Sequence, residues 1–292
     1  MKAPVVLFIF NRPDTTEKVF QAIRKAKPAK LLVVADGPRL ERQGELERCE
    51  AARAIIEQVD WDCEVLKNYS DINLGCHQRI PSGLNWVFNT FEEAIILEDD
   101  CLPHPIFFQF CEELLTFYRE QEQIMHIAGF NVKPQPGMKE SFYVSRIGLC
   151  WGWATWRRAW ASYDPEMKSW QTYKIKSDLQ YFGKQSRNVY KSFEYAATGS
   201  VSCWDVKWGF SRAVNQGLSL IPKTNLIQNI GFREDATHTT QDISHITSVP
   251  VEGINLPLVK PHSLIPNREL DEEYLELLYQ DDAIDNGLPA DK

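Results

Sequence analysis

Short apolar runs alternate with longer amphipathic stretches through the first hundred residues. Residues 5–10, VVLFIF, are apolar without a break, the pattern of a strand buried on both faces. Asp14, with Glu17 three residues on, predicts a capping box, and Val19, Phe20 and Ile23 then share the inner face of the helix that follows. Residues 31–35 read as a second strand ending at Asp36-Gly37-Pro38, residues 41–58 as a charged helix, and residues 63–66 as a weaker third strand. A helix over 78–89 and a strand over 94–97 complete the series. This βαβαβαβ order predicts an α/β fold with a mostly parallel sheet and helices on both faces. Right-handed crossovers place the strand C-termini along one edge, where ligands bind in open α/β sheets.

The second half is less regular. Residues 106–118 and 204–215 read as helices, and residues 125–128 and 218–222 as strands. Residues 142–162 are dense in aromatics, with Trp156 and Trp160 spaced to pack inward on a helix. From residue 248 onward Pro, Asn, Asp and Glu become frequent, as in a wrapping extension with one short helix over 272–279.

The chain has 292 residues, of which 43% are hydrophobic, enough to bury a sizeable core. A formal net charge of −8 argues against non-specific nucleic-acid binding. Seven irregularly spaced cysteines with no C-x-x-C give no zinc ribbon or thioredoxin motif and fit a reducing compartment. The first apolar run is too short to span a bilayer and meets Asn11-Arg12-Pro13 without a cleavage site. The expectation is a cytoplasmic chain with no transmembrane segment, a peripheral attachment to a membrane surface staying open.

Three strand ends carry polar residues: Asn11-Arg12, Asp36-Gly37 and Glu98-Asp99-Asp100. Three adjacent carboxylates repel one another unless solvated, capped or neutralised, and Mg²⁺ or Mn²⁺ held together with substrate phosphates is one solution. The plainer alternative is an acidic strand end that caps the helix near Pro105. Arg12 matches a diphosphate or is a surface Arg before a proline turn. Asp36 reads a base or ribose edge or simply forms a turn. Trp151 and Trp153, separated by Gly152, are either faces for a sugar ring on a mobile lid or core. No G-x-G-x-x-G, G-x-x-x-x-G-K-[ST], H-E-x-x-H or G-x-S-x-G occurs.

In order, Phe8-Ile9-Phe10-Asn11-Arg12-Pro13, Ala35-Asp36-Gly37-Pro38, Asn73-Leu74-Gly75 and Ile96-Leu97-Glu98-Asp99-Asp100 resemble the GT-A glycosyltransferases, closest to the Golgi GlcNAc-transferases that initiate complex N-glycans and to bacterial family-2-like sugar transferases. The similarity continues at Gly148-Leu149-Cys150-Trp151 and at Trp204-Asp205, where Val206 departs from the family's second Asp. It spans roughly residues 4–230 and does not reach the tail.

The resemblance implies a GT-A domain over 1–247, with a nucleotide-binding half (1–100), an acceptor-side half (101–247) and an extension over 248–292. It implies an inverting hexosyl- or N-acetylhexosaminyltransferase using Mn²⁺ or Mg²⁺, a nucleotide-diphosphate sugar, most simply a UDP-sugar, and a saccharide or other hydroxyl acceptor. By position it implies Asp100 and His238 for the metal, Asp99 for the ribose, and Glu98 for the donor sugar or base. Asp36 and Gly37 then sit at the uracil, Asn11 and Arg12 near the base or diphosphate, Trp151 and Trp153 over the sugar, and Asp205 as general base. A sugar nucleotidyltransferase and a non-catalytic carbohydrate-binding protein are the alternatives. The first wants a glycine-rich loop after strand one, which this chain lacks, and the second leaves the acidic triplet unexplained.

Overall fold

The computed structural model describes residues 1–176, 178–232 and 244–280. Its strands are β1 (Val5–Ile9), β2 (Lys30–Ala35), β3 (Glu64–Tyr69), β4 (Glu93–Glu98), β5 (Cys101–Pro103), β6 (Ile124–Ala128), β7 (Phe142–Ser145), β8 (Trp153–Trp156), β9 (Leu218–Pro222) and β10 (Ile227–Asn229). Its helices are α1 (Pro13–Ala26), α2 (Glu45–Ile55), α3 (Cys76–Thr90), α4 (Ile106–Phe117), α5 (Arg157–Trp160), α6 (Trp170–Lys176), α7 (Ser186–Thr198), α8 (Trp204–Val214), α9 (Ser244–Thr247) and α10 (Arg268–Leu278).

Eight strands form one sheet in the order β3-β2-β1-β4-β8-β6-β9-β7, and β5 pairs with β10 in a separate ribbon. The four strands β3, β2, β1 and β4 are mutually parallel. β8 lies antiparallel between β4 and β6, β9 runs parallel to β6, and β7 closes the edge antiparallel. The result is a Rossmann-like α/β fold. The chain leaves β1 toward β2 and β3 and returns to β4 on β1's other side, so the strand order reverses between β1 and β4. At such a reversal the connections on the two sides diverge, the place where ligands bind in open α/β sheets.

Alternation along the central strands feeds two cores. Val5, Leu7 and Ile9 point to one face with Val19, Phe20 and Ile23 of α1 and Phe107 and Leu114 of α4. Val6 and Phe8 point to the other, with Leu84 and Val87 of α3, Trp160 of α5, and Trp204 and Trp208 of α8. A third core, around Trp170, Phe193, Phe210 and Leu275, joins α6, α7 and α8 to α10.

The expected capping box gives way to a different start. Arg12 holds the cap position and Pro13 opens α1, where its fixed φ suits the helix and its missing N–H is no loss. Helix α2 begins at Glu45, later than its charged sequence suggests, because Gly44 precedes it in the left-handed region (φ 71°). Trp156 packs inward as expected, but from the end of β8. All seven cysteines are free thiols. Among the described residues no helix is long and apolar enough to cross a membrane.

Candidate functional site

The residues that follow β1 and β4 meet at the C-terminal ends of these two strands. The Phe10 N–H donates to Asp99 Oδ2 (3.1 Å), and Arg12 Nη1 donates to Asp100 Oδ2 (3.1 Å). The triplet does not cap α4: β5 intervenes, and Pro105 occupies that helix's cap position. Instead the β5–β10 ribbon folds residues 229–231 onto the acids, with the Ile230 N–H donating to the Asp100 carbonyl (2.8 Å). A Cβ on Gly231 would lie 2.2 Å from Asp100 Oδ2 and 2.8 Å from Arg12 Nη1, so the approach demands glycine. Nothing local in the sequence around Gly231 signals this contact, which depends on strand pairing with a distant segment.

Burial and mutual repulsion dominate the electrostatics. Burial raises the Glu98 carboxyl well above its ordinary range, and Asp100, Asp99 and Asp205 add to the rise while Arg12 opposes it. Burial, then Asp100, pushes Asp99 up to about 7. Asp100 is also raised by burial, with Arg12 pulling it back. Asp205 lies in the first turn of α8, exposed, with Cys203 at the cap position. Its charge reaches Glu98, and it also raises the thiols of Cys76, Cys150 and Cys203, whose rise is mainly due to burial. Asp205 thus bears electrostatically on Glu98, although about a hundred residues of chain separate them.

Asp36 is buried and ties two loops together. Its carboxylate accepts from the backbone N–H groups of Gly37, Leu74 and Gly75 (each 2.9 Å) and from the Asn73 amide (3.2 Å). A Cβ on Gly37 would stand 2.5 Å from the Ile72 backbone, which fixes glycine there. Arg53 bonds the carbonyls of Asp36 and Ser70, and the buried Arg79 bonds Ala35 and Asn68, clamping the ends of β2 and β3. Sequence reasoning misses both arginines, since a helical Arg reads as surface. Asn11 turns its amide to Glu45 (2.9 Å), whose carboxyl is held down at about 2, chiefly by Arg39.

The two tryptophans separate. Trp151 is half-buried at the site's edge, its ring against Phe130 (4.8 Å) and Phe232 (5.4 Å). Trp153 corrects the expectation of a sugar-stacking face. It is 0% exposed, because its place in β8 directs it into the core, stacked on His126 and flanked by Trp160, Trp204 and Trp208. The segment expected to form a lid is hydrogen-bonded to the body at both of its glycines. Arg212 donates to the Gly148 carbonyl (2.8 Å), and the Gly129 N–H donates to that of Gly152 (2.7 Å). His126 bonds the Leu149 carbonyl through Nε2 (3.1 Å) and faces the Trp208 indole through Nδ1 (3.3 Å). An indole N–H only donates, so His126 is the neutral Nε2–H tautomer.

Among the described residues no three carboxylate, imidazole or thiol groups are grouped to hold a metal ion by themselves. His238 lies outside the described residues. The clustered acids fit a cation in another way: they crowd like charges, Arg12 pairs with Asp100, and a hard divalent ion takes one or two carboxylates with phosphates and water completing its shell.

No protein-family model matches the chain, and no curated protein matches it. Among solved structures it is similar to a 4-diphosphocytidyl-2C-methyl-D-erythritol synthase from Anaerococcus prevotii DSM 20548, with a TM-score of 0.42 and 9% identity over 80% of this chain and 93% of that one. It is similar to an apo UDP-glucose pyrophosphorylase (TM-score 0.37, 8% identity, 78% and 93% covered). It is also similar to a UDP-glucose pyrophosphorylase complexed with UDP-glucose (TM-score 0.26, 12% identity, 50% and 62% covered). At these TM-scores the likeness decides neither fold nor reaction.

Proposed function

We propose that this chain is a glycosyltransferase of GT-A type, moving a sugar from a nucleotide-diphosphate sugar to a hydroxyl acceptor with inversion. The observation that supports the reading is the Arg12–Asp100 ion pair at the ends of β1 and β4, beside Glu98 and Asp99, whose carboxyls burial and crowding raise, where the strand order reverses. Arg12 is the cation for a diphosphate. Asp100 is the carboxylate for Mg²⁺ or Mn²⁺, which when bound offsets charge on the departing diphosphate. Asp99 and Glu98 line the ribose and donor sugar, and Asp36 with Gly37 frames the base. Trp151 covers the sugar. Asp205, exposed in the first turn of α8, takes the acceptor proton as the new bond forms.

A second reading, a sugar nucleotidyltransferase, is prompted by the activities named in the similar structures. The site supports it less, because Asn11-Arg12-Pro13 runs directly from β1 into α1 and leaves no glycine-rich loop to cradle a triphosphate. Calorimetry with UDP tests the donor site. Binding tightens at least about tenfold when Mn²⁺ is added, because phosphates supply several of the ion's ligands, and Asp100→Ala removes that gain while the protein stays folded. Equal UDP affinity with and without the ion in the unmodified protein contradicts the assignment.

A further inference from the structure

A groove of about 590 Å³ runs along the outer face of α3, within the range of small-ligand pockets. Gln78, Ser82, Asn85 and Asn89 form its rim, spaced so that they share one helix face, and all four are exposed. Trp160 and Tyr163 contribute two rings stacked at 4.4 Å and 9°. Trp160 is buried and donates its indole N–H to Asn85 Oδ1 (2.8 Å), which fixes the Asn85 amide so that its NH₂ is presented as a donor.

The lining chemistry narrows the ligand. Among the described residues no carboxylate lines the groove. Arg157, its guanidinium, is already paired with Glu92, so the groove is not built to neutralise a phosphate. A purely apolar ligand would strip water from the amide rim without replacing its hydrogen bonds. A ligand with an aliphatic face for a ring and hydroxyls for the amides satisfies both surfaces, which describes a neutral saccharide.

The groove also reaches the loop that holds Asp36. Its end at Leu74 is the loop whose backbone is bonded to Asp36, and His77 beside it lies in the first turn of α3, next to Cys76, whose thiol feels both Glu98 and Asp205. Helix α8 borders the groove as well: Lys207, two residues after Asp205, donates to the carbonyl of Pro165 in the groove wall (2.8 Å).

We infer that this groove binds the acceptor as a neutral saccharide, its reacting end toward Asp205 and the rest of it along the α3 amide rim. The inference rests on the glycosyltransferase reading for the word acceptor; the saccharide site itself rests on the groove. Saturation-transfer NMR with lactose, maltose and cellobiose, each at millimolar concentration, tests it on the full chain. At least one of them gives signal, and the exposed-residue variant Gln78→Ala/Asn89→Ala lowers its affinity about tenfold with unchanged Tm. Tyr163→Ala, followed in parallel, lowers it as well. Silence from all three sugars, or signal that neither variant weakens, overturns the site. Release of UDP from UDP-sugars by the unmodified protein is measured alongside. Sugar binding without such release leaves the groove standing and removes its role as an acceptor site, whereas release with no sugar binding removes the groove and spares the enzyme reading.

Discussion

Asp205 carries the sharpest claim at the scale of single residues. It is exposed in the first turn of a helix, and Asp205→Asn keeps the shape while removing the base. Transfer falls at least about a hundredfold, the low end for loss of a general base, with Tm and UDP affinity near those of the parent. A rate close to the parent's would make Asp205 an ordinary helix acid. Gly231 supplies a second prediction. Gly231→Ala forces a methyl against Asp100 and Arg12, overpacking worth about 1–3 kcal/mol, so UDP affinity in Mn²⁺ falls about tenfold and Tm drops. Unchanged UDP affinity would separate the Arg12–Asp100 pair from donor binding. The polar strand ends Arg12, Asp36 and Glu98-Asp99-Asp100 are legible in the sequence as charges directly after apolar runs, while the loop-tying bonds of Asp36 are not, because they join two strand ends 37 to 39 residues apart. Gly231 is not legible, because its reason lies in a tertiary contact. Trp153 misleads because two tryptophans around a glycine look alike whether they face ligand or core, and only the pairing of β8 with β4 decides.

Among the elements, α10 shows how a polar group fastens a late helix to the body. Asp271, buried, accepts from the Ser145 hydroxyl (2.6 Å), the Arg146 N–H (2.9 Å) and the Tyr181 hydroxyl (2.9 Å). Burial outweighs these donors and the Arg146 charge and pushes its carboxyl up to about 6. A carboxyl raised in the folded state holds its proton more tightly there than in the unfolded chain. Its stabilising effect is therefore complete below about pH 4 and is lost as pH rises through about 6, worth at most about 3 kcal/mol. Thermal melts between pH 4 and pH 7 show Tm falling across this window, and Asp271→Asn flattens that fall while lowering Tm at pH 4. An identical slope in the variant would assign the effect to another group. The extension's helix is visible in sequence from its apolar spacing, but it starts earlier than read, at Arg268, because Asn267 caps it by accepting from the Leu270 N–H (3.1 Å). The short strands β7 and β8 are missed for a different reason: four residues give periodicity too little length to act on.

For the molecule as a whole, the first four strands announce the architecture. β1, β2 and β4 are mostly apolar runs and β3 is a weaker, half-polar one, and the parallel direction of all four is what the repeated βα pattern predicts. The other half of the sheet is mixed in direction and is not readable from local pattern, since antiparallel neighbours such as β8 and β9 are recruited from far along the chain. Elements from the second half of the chain border the candidate site: Trp151 just before β8, Asp205 at the start of α8, and Gly231 after the separate β5–β10 ribbon. The central claim is that these parts transfer a sugar and release a nucleoside diphosphate. The most direct test is proton NMR of a panel of UDP-sugars incubated with the protein and Mn²⁺, with water or an added saccharide as acceptor. The account predicts release of UDP and, from an α-linked donor, a product sugar that first appears as the β-anomer. No UDP release from any donor, or formation of UTP and a sugar 1-phosphate once pyrophosphate is added, contradicts it.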